Sequence, residues 1–133
     1  MGNSAVVNGY AERPDYRVAL LARTNAMAAW LGPDRVAASS ACLVVDEQDH
    51  GLVVYFPPDA VDFGRLEPAG LRTVCPFKGE AVYWRAAADD GPGIAWSYPD
   101  PLPEVARLAG YVAFDQEAVR VTIGKGVFTG IRP

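Results

Sequence analysis

Short apolar segments separated by polar turns run along most of this chain, and they predict a fold made mainly of β-strands. Residues 36–47 alternate weakly between apolar and polar and are rich in valine, and residues 52–56 form the strongest strand pattern in the chain. Because the polar segment 46–51 lies between them, we predict that the two strands pair as an antiparallel hairpin. Pro57 ends the second strand, since proline cannot donate a hydrogen bond to a sheet.

Further short strands are predicted from the same kind of pattern. They lie at residues 71–74, 79–88, 94–98, 111–114 and 118–123. We expect the last two to pair as a final hairpin. Residues 18–31 suit either a helix, on their alanine and leucine content, or two short strands separated at Thr24-Asn25. A helical turn is predicted within residues 59–66 and a short helix at residues 103–109.

These elements indicate an all-β domain, mainly antiparallel, with one or two short helices. Two packed sheets, as in a small sandwich, and a partly open barrel are both compatible with it. Strands do not alternate with long helices, which excludes Rossmann-type folds. The length of 133 residues suits one domain. We place it at residues 18–123, after a loose N-terminal arm at residues 1–17 and before an irregular glycine-rich tail at residues 124–133.

Composition and charge narrow the class of protein. Half of the residues are apolar and 21% are charged, as in a globular domain. The net charge of −4 and the lack of a long basic run argue against nucleic acid as a partner. No stretch of 18 apolar residues exists, so we expect no membrane partner. With no recognisable export signal, a cytoplasmic location and free thiols at Cys42 and Cys75 are expected.

The segment from Cys75 to Gly79 places a thiol and an ammonium group three residues apart at the end of a predicted strand. A lysine close to a cysteine lowers the pKa of the thiol and raises its reactive thiolate fraction. Cys75 and Lys78 are therefore candidate catalytic residues. The alternative is that Cys75 packs as a small buried hydrophobe, while Lys78 lies in solvent on a turn and packs little apolar surface.

The predicted turn at residues 46–50 carries three carboxylates and the only histidine of the chain. Glu47 is a candidate catalytic residue, since Glu47 or His50 would serve as a general base if either reached Cys75 or a bound substrate. The alternative is an exposed polar turn. If Glu47 is instead the structural partner of Lys78, an exposed ion pair between them would contribute about 1 kcal/mol or less. One histidine and two distant cysteines do not form a closed zinc site. We therefore expect no metal and no cofactor.

Aromatic residues are concentrated on the predicted strands. Trp96 and Tyr98 are two residues apart and therefore share one face of a sheet. Together with Tyr55 and Tyr83 they are candidates to line a pocket for a flat apolar ligand, with the tyrosine hydroxyls as polar contacts. The alternative is that all four belong to the core. Glycine-rich phosphate-binding motifs and a serine nucleophile elbow are absent from the sequence.

Several of these segments, in this order and spacing, resemble the family known as domain of unknown function 427. The matching segments extend over about 80 residues. They are Val36-Ala37-Ala38-Ser39, Glu47 ahead of Tyr55-Phe56-Pro57-Pro58-Asp59-Ala60-Val61, Thr73-Val74-Cys75-Pro76-Phe77-Lys78-Gly79-Glu80-Ala81-Val82-Tyr83-Trp84, Ala95-Trp96-Ser97-Tyr98-Pro99-Asp100-Pro101, and Tyr111-Val112-Ala113-Phe114.

The resemblance implies a compact, mostly β fold related to the β-tent architecture. Other β-tent proteins often bind zinc through paired C-x-x-C motifs, which this chain lacks, so zinc is not carried over. The family sometimes has a nucleotidyltransferase label, but the sequence contains no acidic pair or phosphate loop that would support that chemistry. A Cys-Pro-Phe-Lys-Gly turn shared with a family strengthens a functional interpretation of Cys75 and Lys78.

Three functions remain open from the sequence. The first is a small-molecule enzyme in which Glu47, Cys75 and Lys78 approach one another at one end of a sheet, next to Trp96 and Tyr98. The second is a binding module for a small ligand or a partner that uses the same pocket without catalysis. The third is an interaction domain that forms a homodimer through the edge of a strand.

Overall fold

The computed structural model describes residues 7–91 and 93–128, and within them the chain consists mainly of antiparallel strands. The all-β fold class is therefore confirmed. The strands are β1 Val18–Ala22, β2 Met27–Leu31, β3 Asp34–Ser39, β4 Leu43–Glu47, β5 Gly51–Tyr55, β6 Leu66–Cys75, β7 Gly79–Ala86, β8 Ala95–Ser97, β9 Val112–Phe114, β10 Arg120–Ile123 and β11 Gly126–Phe128. The helical segments are short 3₁₀ turns at Gly9–Ala11, Pro58–Ala60, Phe63–Arg65 and Pro103–Leu108.

The strands of the described residues form three sheets and no closed barrel. One sheet has the order β1-β4-β5, the second β11-β10-β2-β3, and the third β6-β7-β8-β9. Neighbouring strands are antiparallel in every sheet. Of the two alternatives for residues 18–31, the structure has the two short strands, β1 and β2.

The first predicted hairpin is confirmed for residues 43–55. β4 pairs with β5, and Asp46 lies opposite Leu52 as the polar turn between them requires. The expected long strand over residues 36–47 is instead divided, because a turn follows β3. Ser39 Oγ accepts a hydrogen bond from the backbone N–H of Ala41 at 2.9 Å. As a result, β3 pairs with β2 in a different sheet from β4.

The predicted final hairpin is wrong. β9 pairs with β8, whereas β10 pairs with β2 and β11. The backbone N–H groups of Ala118 and Val119 both donate to the carbonyl of Asp115, and this turn carries the chain from one sheet to the other. The tail also differs from the expected irregular segment, since residues 126–128 form β11. Residues 129–133 lie outside the described residues.

Buried apolar side chains form two clusters on opposite faces of the central strand β4. Val44 belongs to the larger cluster, together with Phe56 and Phe114. Leu43 and Val45 point to the other face, where they join Tyr55, Ala81, Tyr98, Leu108 and Ala113. This second cluster lies between β4–β5 and strands of the third sheet, and a cavity opens beside it. No described helix has the length and apolar character needed to cross a membrane.

Candidate functional site

A cavity of about 490 Å³ opens between strands β4 and β5 and strands β7 and β8. Its wall contains every residue that the sequence singled out as catalytic or ligand-binding, with His50 in addition. The seven are Glu47, Tyr55, Cys75, Lys78, Tyr83, Trp96 and Tyr98. The structure thus brings the candidate residues together, while their functional roles stay predictions.

Strand periodicity and register explain how these side chains reach one place. Leu43, Val45 and Glu47 alternate along β4 and share its inner face, so the buried apolar row ends in a carboxylate. Tyr55 lies opposite Leu43 on the neighbouring strand β5. On the facing wall, Tyr83 of β7 pairs with Trp96 of β8, and Tyr98 follows two residues later.

Lys78 is directed inward by a tight turn between β6 and β7. Cys75 and Gly79 close the hairpin, and the backbone N–H of Lys78 donates to the carbonyl of Cys75 at 3.3 Å. Gly79 has a φ of +121°, in a region where glycine is strongly favoured. Lys78 is only 7% exposed. The expectation of a solvated lysine that packs little apolar surface is wrong, because residues 8–16 and the backbone near Leu102 lie against this turn.

Glu47 and Lys78 form a buried ion pair at one end of the cavity. Oε1 of Glu47 accepts a hydrogen bond from Nζ of Lys78, and both side chains are 9% exposed. The alternative of an exposed pair is therefore wrong. Oε2 accepts a hydrogen bond from the Tyr16 hydroxyl at 2.7 Å, and Nε2 of His50 lies 3.7 Å from the same oxygen.

Two opposing influences set the pKa of Glu47. Burial alone would raise it, but the hydrogen bonds from Lys78 and Tyr16 and the charges of Lys78 and His50 lower it below the usual value. Glu47 is therefore a carboxylate at neutral pH with both oxygens engaged. This arrangement favours a positioning role for Glu47, which holds Lys78 in place, over a role in proton transfer.

The segment of residues 8–16 packs on the outside of the ion pair, in contrast to the loose arm that was expected. The Tyr16 ring stacks on Phe77 with ring centroids 3.8 Å apart, and Tyr10 meets the same ring edge-on at 5.2 Å. Gly9 N–H donates to the Pro76 carbonyl, and the Tyr10 hydroxyl donates to the Phe77 carbonyl at 2.9 Å. Sequence reasoning missed Tyr16; the signal was a pair of tyrosines in an otherwise polar segment.

The tyrosine hydroxyls around the cavity differ in what they bind. Tyr55 accepts a hydrogen bond from Nε1 of Trp96 at 3.1 Å, and Tyr83 bonds Thr73 at 2.8 Å. The hydroxyl of Tyr98 has no hydrogen-bond partner among residues 7–91 and 93–128, although the residue is only 7% exposed. Burial, followed by the charges of neighbouring groups, raises the pKa of Tyr98, so this hydroxyl stays neutral.

The two cysteines are both free and lie in different surroundings. Cys42 is buried in the larger core cluster, and burial raises the pKa of its thiol to about 11. Cys75 is partly exposed and contributes to the cavity wall. Within the described part of the chain, no group of three or more His, Cys, Asp or Glu side chains is arranged to hold a metal ion.

Comparison with models of known protein families shows to which family the chain belongs. The model of the family described as a domain of unknown function, DUF427, matches residues 19–125. The chain belongs to the DUF427 family. A search of curated proteins found no match. The DUF427 match includes the whole cavity wall but begins after Tyr16, so the segment that holds the ion pair from outside precedes the matched region.

Proposed function

We propose that this DUF427 protein binds a small, flat, amphipathic organic molecule in the cavity. The observation that supports the proposal is the composition of the cavity lining, in which a buried ion pair occurs together with four aromatic side chains. The cavity volume falls within the range of small-molecule pockets. A mainly apolar wall with a few fixed polar groups is typical of sites that bind an aromatic ring and orient one polar substituent.

Other properties of the protein fit a small-molecule partner better than a nucleic acid. The net charge is −4, which opposes binding to a phosphate backbone. A partly exposed free thiol at Cys75 suits a reducing compartment such as the cytoplasm. A homodimer through the open edge of β6, where Leu71 and Val74 are exposed, stays a prediction.

The indole N–H groups provide a direct test of cavity binding. We expect that titration with indole, 2-naphthol or indole-3-acetate shifts the indole N–H signal of Trp96 in ¹H–¹⁵N NMR spectra, in a saturable way. Trp30 lies in the second sheet, where its Nε1 donates to Thr122, and is the matched control. The variants Trp96→Phe and Trp30→Phe assign the two signals.

The outcome is decided by which indole responds. A saturable shift at Trp96 without one at Trp30 supports binding in the cavity, because only Trp96 lines it. Equal shifts at both indoles would indicate non-specific binding, and no saturable shift with any of the three compounds would refute the proposal.

An enzyme with Cys75 as nucleophile is the second candidate function. Its support is the position of the thiol on the cavity wall, in the same turn as the charged group of Lys78. We expect an activated thiol to react with iodoacetamide faster at pH 7 than a free cysteine in solution, and Cys75→Ser to abolish the fast phase. A rate no greater than that of free cysteine would leave the binding module as the better account.

A further inference from the structure

We propose that the cavity selects neutral aromatic carbonyl compounds, such as amides, aldehydes or ketones, over the corresponding carboxylates, with Lys78 and Tyr98 donating hydrogen bonds to the carbonyl oxygen. The proposal rests on the function proposed above and specifies the chemical class of the ligand. It follows from three features of the cavity, which are its net charge, its unused donors and the shape of its walls.

The charge of Lys78 is already balanced inside the protein. Glu47 lies in direct contact with it, and the two groups are equally buried. A ligand carboxylate would add a second negative charge to this pair. An anion that leaves water without a net positive partner pays a desolvation penalty that is not recovered. A neutral carbonyl group avoids this penalty and still accepts hydrogen bonds.

Two donors at this end of the cavity remain for a ligand. An ammonium group has three N–H donors, and Lys78 has one described acceptor, Glu47. The Tyr98 hydroxyl has no partner in the described residues, whereas Tyr55, Tyr83 and Tyr16 each have one. Its oxygen is not fully enclosed, and Tyr98 lines the cavity, so this hydroxyl is available to donate to an acceptor on a ligand.

The side chains of Lys78 and Tyr98 are neighbours in the cavity wall. Nζ of Lys78 lies 5.9 Å from the centre of the Tyr98 ring, so the ammonium group and this tyrosine occupy the same end of the cavity. A carbonyl oxygen has two lone pairs and can accept from both donors at once. The aromatic walls formed by Trp96 and Tyr83 favour a flat ring attached to that carbonyl group.

Three indoles that differ in one substituent test the inference. They are indole-3-acetamide, indole-3-acetate and 3-methylindole, titrated into the full chain by calorimetry at pH 8, where histidine is ordinarily neutral. We expect the amide to bind about tenfold more tightly than the acetate. Tyr98→Phe should weaken binding of the amide about fivefold and leave 3-methylindole unchanged.

Tyr111→Phe is the matched control, since Tyr111 packs near the second cluster but does not line the cavity. Tighter binding of the acetate than of the amide would overturn the carbonyl inference while leaving cavity binding intact. Equal binding of the amide and 3-methylindole, or an amide affinity that Tyr98→Phe does not change, would also overturn it. If none of the three indoles binds, both the inference and the proposed function fail.

Discussion

Replacing Lys78 by methionine tests the buried ion pair, because methionine keeps an apolar side chain of similar length and removes the ammonium group with its charge and its hydrogen-bond donors. Glu47 is 7% exposed in the wild-type protein. In the variant it loses its main partner and keeps the hydroxyl of Tyr16 and the more distant His50. The carboxylate then has two options. It stays charged in a buried site, or it takes up a proton that it would not bind in the unfolded chain.

The second option limits how unfavourable the substitution can be. Removing one partner of a buried ion pair destabilises a protein by about 3 to 5 kcal/mol. Taking up a proton at pH 7 costs a glutamate of ordinary pKa about 3.7 kcal/mol, and at pH 5 only about 1 kcal/mol. We therefore expect Lys78→Met to lower the free energy of unfolding by about 3 kcal/mol at pH 7 and by about 1 kcal/mol at pH 5.

The wild-type protein gives the reference for this pH dependence. The pKa of Glu47 is lowered in the folded state, so its stabilising contribution is fully present above the unfolded pKa. That contribution is lost only as the pH falls through the still lower folded pKa. Between pH 7 and pH 5, Glu47 therefore leaves the stability of the wild-type protein unchanged. A change in the stability difference between the wild-type protein and Lys78→Met over this range then comes from the variant.

Urea unfolding followed by tryptophan fluorescence measures both penalties. The control is the double variant Glu47→Leu/Lys78→Met, which removes both charges and should recover most of the lost stability. A penalty below about 1 kcal/mol at pH 7 would contradict a buried pair, since that is the range of exposed pairs. A penalty of equal size at both pH values would show that the isolated carboxylate is not its cause.

Two further predictions concern Tyr16 and the thiols. Tyr16→Phe should destabilise the protein by about 1.5 to 3 kcal/mol in urea unfolding, because a buried hydrogen bond to a carboxylate is lost. It should also raise the pKa of Glu47 in a ¹³C NMR titration, and an unchanged pKa would contradict the contact. Ellman's reagent should modify Cys75 in the native protein before Cys42, which is 1% exposed. The denatured, unreduced protein should contain two thiols, and a count of zero would indicate a disulfide.

Local sequence pattern was sufficient for most of the strands and for one wall of the site. The valine-rich segments on either side of a polar turn predicted the pairing of β4 with β5. The period of two also places Glu47 on the same face as Leu43 and Val45. That alternation was a signal in the sequence for a buried carboxylate, although the surrounding acidic turn suggested an exposed one.

Contacts between segments that are distant in sequence could not be predicted from the local sequence pattern. The pairing of β10 with β2 and of β9 with β8 depends on how three sheets pack, and no turn between neighbours encodes it. The burial of Lys78 has the same cause. A Pro-Phe-Lys-Gly turn has the composition of an exposed loop, and in the structure distant segments cover it, with Tyr16 stacked on Phe77.

A crystal structure of the protein grown with indole-3-acetamide would show the proposed ligand site itself. We expect the indole ring in the cavity against Trp96, with the amide oxygen within hydrogen-bond distance, about 3 Å, of both Lys78 Nζ and the Tyr98 hydroxyl. An indole bound only outside the cavity, or one inside it whose carbonyl group faces away from Lys78 and Tyr98, would contradict the account.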